Sequence, residues 1–283
     1  MKKVLSAILA LVLILSAIAA FASCGKKAAF TIAIPNDGTN EYRALKLLEV
    51  QGLIKLKDGV DGKATVKDIA ENPYNIAFKE TEAALIPNVL KDVDYAVINS
   101  NYAIEAGLTP FVTEGTDVSY PNIISVKDGN QTKNKTKALV AAINSQAVAD
   151  YINATYKGAI VCDLKNVTAD GFDATVDYDD LNGTTITVAA SPVPHADILK
   201  VAKAILAQKG ITLDIKEYSD YVLPNQVVES GEVDANYFQH VPYMNEFNEA
   251  NGTHIVSVLE VHHEPLGAYS AKNSSFDTIK NSK

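Results

Sequence analysis

An α/β fold in two successive units is what this sequence predicts. Strand-like runs alternate with segments whose apolar residues recur at helical spacing. That alternation stops over residues 163–183, a stretch rich in Asp, Asn, Gly and Thr, and resumes after it. The 260 residues that follow an N-terminal targeting segment can bury a large core without disulfides. Mostly parallel sheets covered by helices on both faces are expected, with ligands at the carboxyl ends of strands.

Each element has a local reason. Phe30 to Ile34 is a strand-like run. Ala44, Leu45, Leu47 and Leu48 give the next segment a helical apolar face, and Gly52 stops it. Val66 to Ile69 and Glu82 to Leu90 are further helical pieces. Val93–Ile98 and Asn122–Val126 are strands. Leu139, Val140, Ile143, Val148 and Ile152 predict one helix from Lys135 to Tyr156. After residues 163–183, taken as a linker, Thr184–Ala190 is a strand. Ser191-Pro192-Val193-Pro194-His195 opens a helix with its prolines in tolerated early positions. Ile198, Val201, Ala202, Ile205 and Leu206 form that helix's buried stripe, and Gly210 ends it. Ile211, Leu213 and Ile215 alternate as a strand, and His254–Val261 is another.

Residues 1–23 form a secretory signal: Lys2 and Lys3, an apolar run from Val4 to Ala20, then small residues before Cys24. That cysteine resembles the lipid-bearing residue of a bacterial lipobox, with Phe21 departing from the usual aliphatic residue. A lipid on Cys24 places the body outside the cytoplasm, anchored to the cell membrane through a tether at 24–29. Cys162 is then a lone thiol, so the fold uses no disulfide. The formal net charge is −9, or −11 without Lys2 and Lys3, which argues against nucleic acid and against a polybasic membrane-binding surface.

Arg43 is the only arginine among 25 basic residues. It is expected in the first turn of a helix, where a cation is unfavourable without a nearby anion. Its planar fork suits a carboxylate, so it is a candidate carboxylate ligand at a cleft; the alternative is a pair with Glu41 or another acid. Aromatic residues cluster with a histidine over 234–243, with Tyr218 and Tyr221 just upstream. At a strand-to-helix junction they could line an amphipathic pocket, or they could pack in a core. The histidines His195, His240, His254, His262 and His263, with Glu260 and Glu264, invite a metal reading, and a metal-binding receptor would use His240, His254 and His262. The adjacent pair His262-His263 weakens it, because neighbours on a strand face opposite ways. No nucleophile elbow, P-loop or dinucleotide fingerprint is present, so catalysis has no sequence support and no cofactor is implied.

Several segments together resemble a known family. They are Ser191-Pro192-Val193-Pro194-His195-Ala196, Asp220-Tyr221-Val222-Leu223-Pro224-Asn225, Asp234-Ala235-Asn236 through Phe238-Gln239-His240-Val241-Pro242-Tyr243, Ile34-Pro35-Asn36-Asp37 with Asn40 and Arg43, Gly52 to Gly59, and Val97-Ile98-Asn99 with Asn101-Tyr102-Ala103. These resemble the methionine-binding lipoproteins (MetQ/NlpA type), the extracytoplasmic substrate-binding proteins of methionine ABC importers. The resemblance covers about residues 30–160 and 184–280. It implies a two-lobed, periplasmic-binding-protein-like fold of type II with its ligand between the lobes, and no catalytic step. It implies L-methionine or a close relative as ligand, and the importer's permease and ATPase subunits as partners. Arg43 would grip the α-carboxylate, Asn99 and Asn122 would bond the amino-acid backbone atoms, and Tyr221, Phe238, His240 and Tyr243 would form the side-chain pocket.

The order of the segments departs from the family. Residues 184–280 are similar to its N-terminal part and residues 30–160 to its C-terminal part, so the chain resembles a circular permutant; a truncated tandem copy and a domain-swapped protomer are the alternatives. Permutation implies a smaller lobe at 30–118, a continuous larger lobe at 119–283, and a chain break at a crossover between lobes.

Overall fold

The computed structural model describes residues 29–60, 62–115 and 120–283. The signal segment 1–23 and Cys24 lie outside the described residues, as does the tether except Ala29. Two lobes form, each a sheet with flanking helices, as the α/β expectation and the resemblance implied.

The first lobe begins with β1 (Phe30–Pro35) and α1 (Gly38–Val50). Three apolar residues of β1 are fully buried, and α1 sets Ala44, Leu45, Leu47 and Leu48 against two of them, Ile32 and Ile34, in one core. Asp37 caps α1 by accepting from the Asn40 N–H. A small pair, β2 (Lys55–Leu56) and β3 (Ile69–Glu71), follows. Then come β4 (Ile76–Thr81), the short helix α2 (Ile86–Val89), β5 (Tyr95–Ile98), α3 (Ser100–Glu105) and β6 (Val112–Thr113).

The second lobe holds β7 (Pro121–Lys127), α4 (Asn134–Ile143), α5 (Gln146–Tyr156), β8 (Val161–Cys162), β9 (Thr185–Ala190), α6 (Asp197–Ala207), β10 (Thr212–Glu217), α7 (Leu223–Ser230), β11 (Ala235–His240), α8 (Val241–Asn251) and β12 (Ile255–His263). Its sheet has the order β10-β9-β11-β7-β12-β8. The chain then returns to the first lobe as β13 (Gly267–Tyr269) and α9 (Asp277–Lys280), giving that sheet the order β4-β1-β5-β13-β6.

Four sequence expectations are corrected. The sheets are mixed rather than mostly parallel: β1, β4 and β5 run parallel, as do β9, β10 and β11, but β7, β12 and β13 pair antiparallel. Of these, β7 and β13 each follow a crossover between lobes and enter their new sheet reversed, whereas β12 shares the direction of β11 and is antiparallel only to its neighbours β7 and β8. The larger lobe does not run continuously to 283, because Leu266, Ala268, Phe276 and Ile279 are buried in the first lobe's core. A junction between residues 283 and 29, of the kind permutation implies, would therefore fall within the first lobe and not at a crossover. Ala29 and Lys283 are neighbours there: Ala29 N–H donates to Asn75 O (3.1 Å), and Lys283 Nζ sits 4.8 Å from the Tyr74 ring centre. Finally, the helix expected over 135–156 is two helices. Ser145 breaks it in extended conformation, accepts the Val148 N–H at the start of α5, and bridges to Thr168.

Residues 163–183 contain no helix or strand, yet they are docked rather than free. Val176 and Leu181 are buried in the second lobe's core, and Phe172 and Tyr178 pack against it. No described helix is long and apolar enough to cross a membrane.

Candidate functional site

The carboxyl ends of β1, β5, β9 and β11 all face the gap between the lobes, where open α/β sheets place their ligands. Arg43, Asn99, Asn122, Tyr221, Phe238, His240 and Tyr243 line one cleft there. They come from both lobes and from both sides of residues 163–183. Asn40, Ser100, Asn101, Gln239 and Glu264 complete the wall. The free space inside is about 20 Å³, room for about one water. A larger ligand enters only when the lobes part.

The lobes are held together by direct bonds. Tyr102 Oη donates to Ser219 O (2.9 Å), and Tyr221 Oη to Asn101 Oδ1 (2.7 Å). At the start of α1, Thr39 N–H and Oγ1–H both donate to Glu246 Oε2 (3.0 and 2.6 Å). A carboxylate from the second lobe thus sits on the positive end of a first-lobe helix. Gly38 is needed for that approach, since a Cβ there would collide with the Glu246 carboxylate.

Arg43 lies in the second turn of α1, one turn further in than expected, and is 4% exposed. Its acidic partner is Glu114 rather than Glu41, whose carboxylate accepts from the Val66 N–H. Arg43 Nε donates to Glu114 Oε2 (3.3 Å) and Nη2 makes a short ion pair with Oε1. Nη2 also donates to Glu264 O (3.0 Å), and Nη1 to Asn40 Oδ1 (3.2 Å). Tyr120 covers the guanidinium, 4.4 Å away. Glu114 Oε1 further accepts the Leu266 N–H (2.8 Å). Arg43 therefore ties α1 to both stretches of chain that cross between lobes. Four of its five N–H groups have acceptors, and the remaining Nη1–H faces His240 Nε2 at 3.2 Å.

His240 ends β11 and caps α8, its Nδ1 accepting the Tyr243 N–H (3.2 Å). Burial, reinforced by the Arg43 charge, holds its pKa well below the ordinary value, so the ring is neutral. A neutral ring with an accepting Nδ1 carries its proton on Nε2. The Nε2–H and the Arg43 Nη1–H then point at one another, and a shared acceptor would satisfy both.

The amides have fixed polarity. Asn40 Nδ2 donates to Asp37 Oδ1 (2.8 Å), so Asn40 Oδ1 accepts from Asn99 Nδ2 (3.1 Å). That leaves Asn99 Oδ1 buried in the cleft with no partner. On the opposite wall, Asn122 Oδ1 meets His195 Nε2 (3.0 Å). Burial drives the His195 pKa down to about 3, so this ring too is neutral and donates through Nε2. Asn122 Nδ2 is turned the other way. Tyr221, Phe238 and Tyr243 form an aromatic end, with ring centres 5.7–6.0 Å apart.

The proposed metal ligands His240, His254 and His262 do not converge. His254 and His262 stand eight residues apart along an extended strand, roughly 25 Å, and His254 is exposed beside Glu229. His262 and His263 do face opposite ways: one meets Glu264, the other Asp163.

Asp37 carries a separate consequence. Burial raises its pKa from 3.8 to about 6, with Glu246 adding to the shift and Arg43 opposing it. A raised folded-state pKa gives stability that is complete below about 4 and lost as pH rises through 6. Asp37→Asn keeps the acceptor for Asn40 without the charge. It is expected to stabilise the protein by about 1–3 kcal/mol at pH 7 and by nothing near pH 3.5, read from thermal melts at the two values.

Residues 25–163 and 186–283 match the NlpA lipoprotein family. The chain belongs to that family. The unmatched interval, 164–185, coincides with the segment read as a linker. Membrane lipoprotein TpN32 of Treponema pallidum (strain Nichols) is 42% identical over 134 residues, covering 46% of this chain and 50% of the relative. D-methionine-binding lipoprotein MetQ of Escherichia coli (strain K12) is 40% identical over 136 residues, with 46% and 50% covered. A solved nutrient binding protein from Burkholderia cenocepacia, bound to methionine, is 44% identical over 46% of this chain and 57% of that one, with a TM-score of 0.45. The chain spans about half the length of the curated relatives it matches.

Proposed function

We propose that the cleft captures a free amino acid with a thioether side chain, L-methionine or a close relative, with no catalytic step. The observation that carries this reading is the sorting of chemistry inside one cleft. Arg43 Nη1–H, His240 Nε2–H and Asn122 Nδ2 supply donors for a carboxylate. The partnerless Asn99 Oδ1, with the buried Glu264 carboxylate near it on the wall, supplies acceptors for an ammonium. Tyr221, Phe238 and Tyr243 offer ring edges, where sulfur gains about 0.3–1.5 kcal/mol per contact. Membership of the family and the methionine-binding names of relatives support the same ligand.

Closure converts binding into a signal. A ligand that touches both lobes stabilises the closed state by its differential affinity for it. The closed form would dock on the permease of an ABC importer driven by its ATPase subunits, with lipid on Cys24 keeping the protein at the extracytoplasmic face of the cell membrane. Native mass spectrometry of the purified protein tests the ligand: a one-to-one adduct that releases methionine supports the reading, and a different adduct class contradicts it.

The permuted order belongs to the same proposal. Its support is the adjacency of the two ends at Tyr74–Asn75 and the docking of 163–183 along the second lobe. A chain rejoined as 184–283 followed by 29–163 is expected to be monomeric and to bind methionine with unchanged affinity. A rejoined chain that fails to fold would contradict it.

A further inference from the structure

Behind the amino-acid cleft, three metal-ligating side chains meet. His195 Nε2, His262 Nε2 and one Glu264 carboxylate oxygen lie within 4.8 Å of one another. Their residues are 1%, 0% and 7% exposed. They arrive from three places: the turn after β9, the end of β12, and the crossover that follows it. Asn122 Oδ1, 3.0 Å from His195 Nε2, is a fourth donor. We propose that these residues form a binding site for a divalent transition-metal ion of the zinc class.

The donor set decides the class. Two imidazoles with one carboxylate suit zinc, copper or nickel, whereas magnesium and calcium need a shell of oxygens. The two separations to Glu264 are close to what an ion requires. Ligand atoms at about 2.0–2.2 Å from a tetrahedral ion stand roughly 3.3 Å apart. His195 Nε2 and Glu264 Oε1 are 3.3 Å apart, and His262 Nε2 and Glu264 Oε1, at 2.8 Å, must open by about half an ångström.

The surroundings also fit. The Tyr237 hydroxyl meets His262 Nδ1, the outer partner that orients a ligating imidazole. Without an ion, the His262 Nε2–H donates to Glu264 Oε1 (2.8 Å) and the His195 Nε2–H to Asn122 Oδ1 (3.0 Å). Loading would move each proton to Nδ1; Tyr237 Oη can accept it from His262. His195 Nδ1 is buried with no partner, so the same change there exchanges one unpaired buried acceptor for one unpaired buried donor. The buried Glu264 carboxylate is the anion that an ion would neutralise.

Access runs through the cleft, because Glu264 and Asn122 line it. The two sites share these residues, so a bound ion and a bound amino acid must alter each other's affinity by the same factor. The metal site does not depend on which amino acid the cleft takes.

The test uses the mature chain stripped with a chelator and titrated with zinc chloride by calorimetry. One ion per chain is expected, bound about 10–100-fold more weakly in His195→Gln and His262→Gln and unchanged in His254→Gln. X-ray absorption at the zinc edge of the wild-type protein should show two imidazole ligands, a readout that does not require the variants to fold. No stoichiometric zinc, zinc lost only in His254→Gln, or an edge spectrum without two imidazoles would overturn the site.

Discussion

Arg43→Ala is expected to lower methionine affinity by about two to three decades and to destabilise the protein by about 3–5 kcal/mol. Both effects follow from geometry. The guanidinium supplies a cleft-facing Nη1–H, and it also neutralises Glu114, which is 7% exposed and would be left as an uncompensated buried charge. Arg43→Lys restores the charge but not the fork, so it should recover only part of each loss. Glu114→Gln separates the two roles. It should destabilise the fold, because Arg43 loses its anion, yet leave methionine affinity intact or improved. If Glu114→Gln lost as much affinity as Arg43→Ala, Arg43 would act only by tying the crossovers together. Calorimetry with L-methionine, alongside thermal melts of each variant, reads both quantities.

Phe276→Ala is the second large effect, at about 3–5 kcal/mol of stability. Phe276 is 4% exposed and packs against Phe111 (4.9 Å) and Tyr95 (5.1 Å) between ring centres. Those partners lie more than 160 residues earlier in the chain, so the loss measures whether the C-terminal segment completes the first lobe. A fall in melting temperature of roughly 6–20 °C is expected for a chain of this size. Methionine affinity at 25 °C should hold, since Phe276 does not line the cleft. A neutral substitution would mean that residues after 266 are an appended tail.

What the sequence showed, and what it hid, divides by range of interaction. β1 and α1 were legible because a buried apolar run and a stripe at helical spacing are local signals. β11 was legible only as the strand side of a strand-to-helix junction, without bounds: Asn236, Gln239 and His240 are all buried, with no polar-apolar alternation. Their burial is made tolerable by a network in which Asn236 Nδ2 and Gln239 Nε2 both donate to Asn225 Oδ1 (2.8 Å each), on a separate helix. β13 has three residues and exists only because β5 and β6 flank it. The break at Ser145 depends on Thr168, in a segment with no periodicity of its own.

The candidate site divides the same way. The aromatic and amide residues were found through motifs and the family resemblance. Glu114 was missed, and Glu264 was weighed only as a metal ligand, because glutamate is ordinarily exposed and their contacts with Arg43 span 71 and 221 residues. The lone arginine was the signal that could have led to them. A buried fork needs acids, and the crossovers between lobes are where the chain had to supply them. His195, His262 and Glu264 stood among the candidate metal ligands, but their convergence was hidden for the same reason. Only the sheet order brings the turn after β9 beside the end of β12.

The most direct measurement is a calorimetric titration of ligand-stripped wild-type protein with L-methionine, repeated with the same acid lacking its amino group and with the amide lacking its carboxylate. The account expects one-to-one binding of methionine and a loss of at least tenfold with either analogue, because acceptors and donors in the cleft each read one end of the ligand. No heat with methionine, or equal affinity for all three compounds, would contradict it.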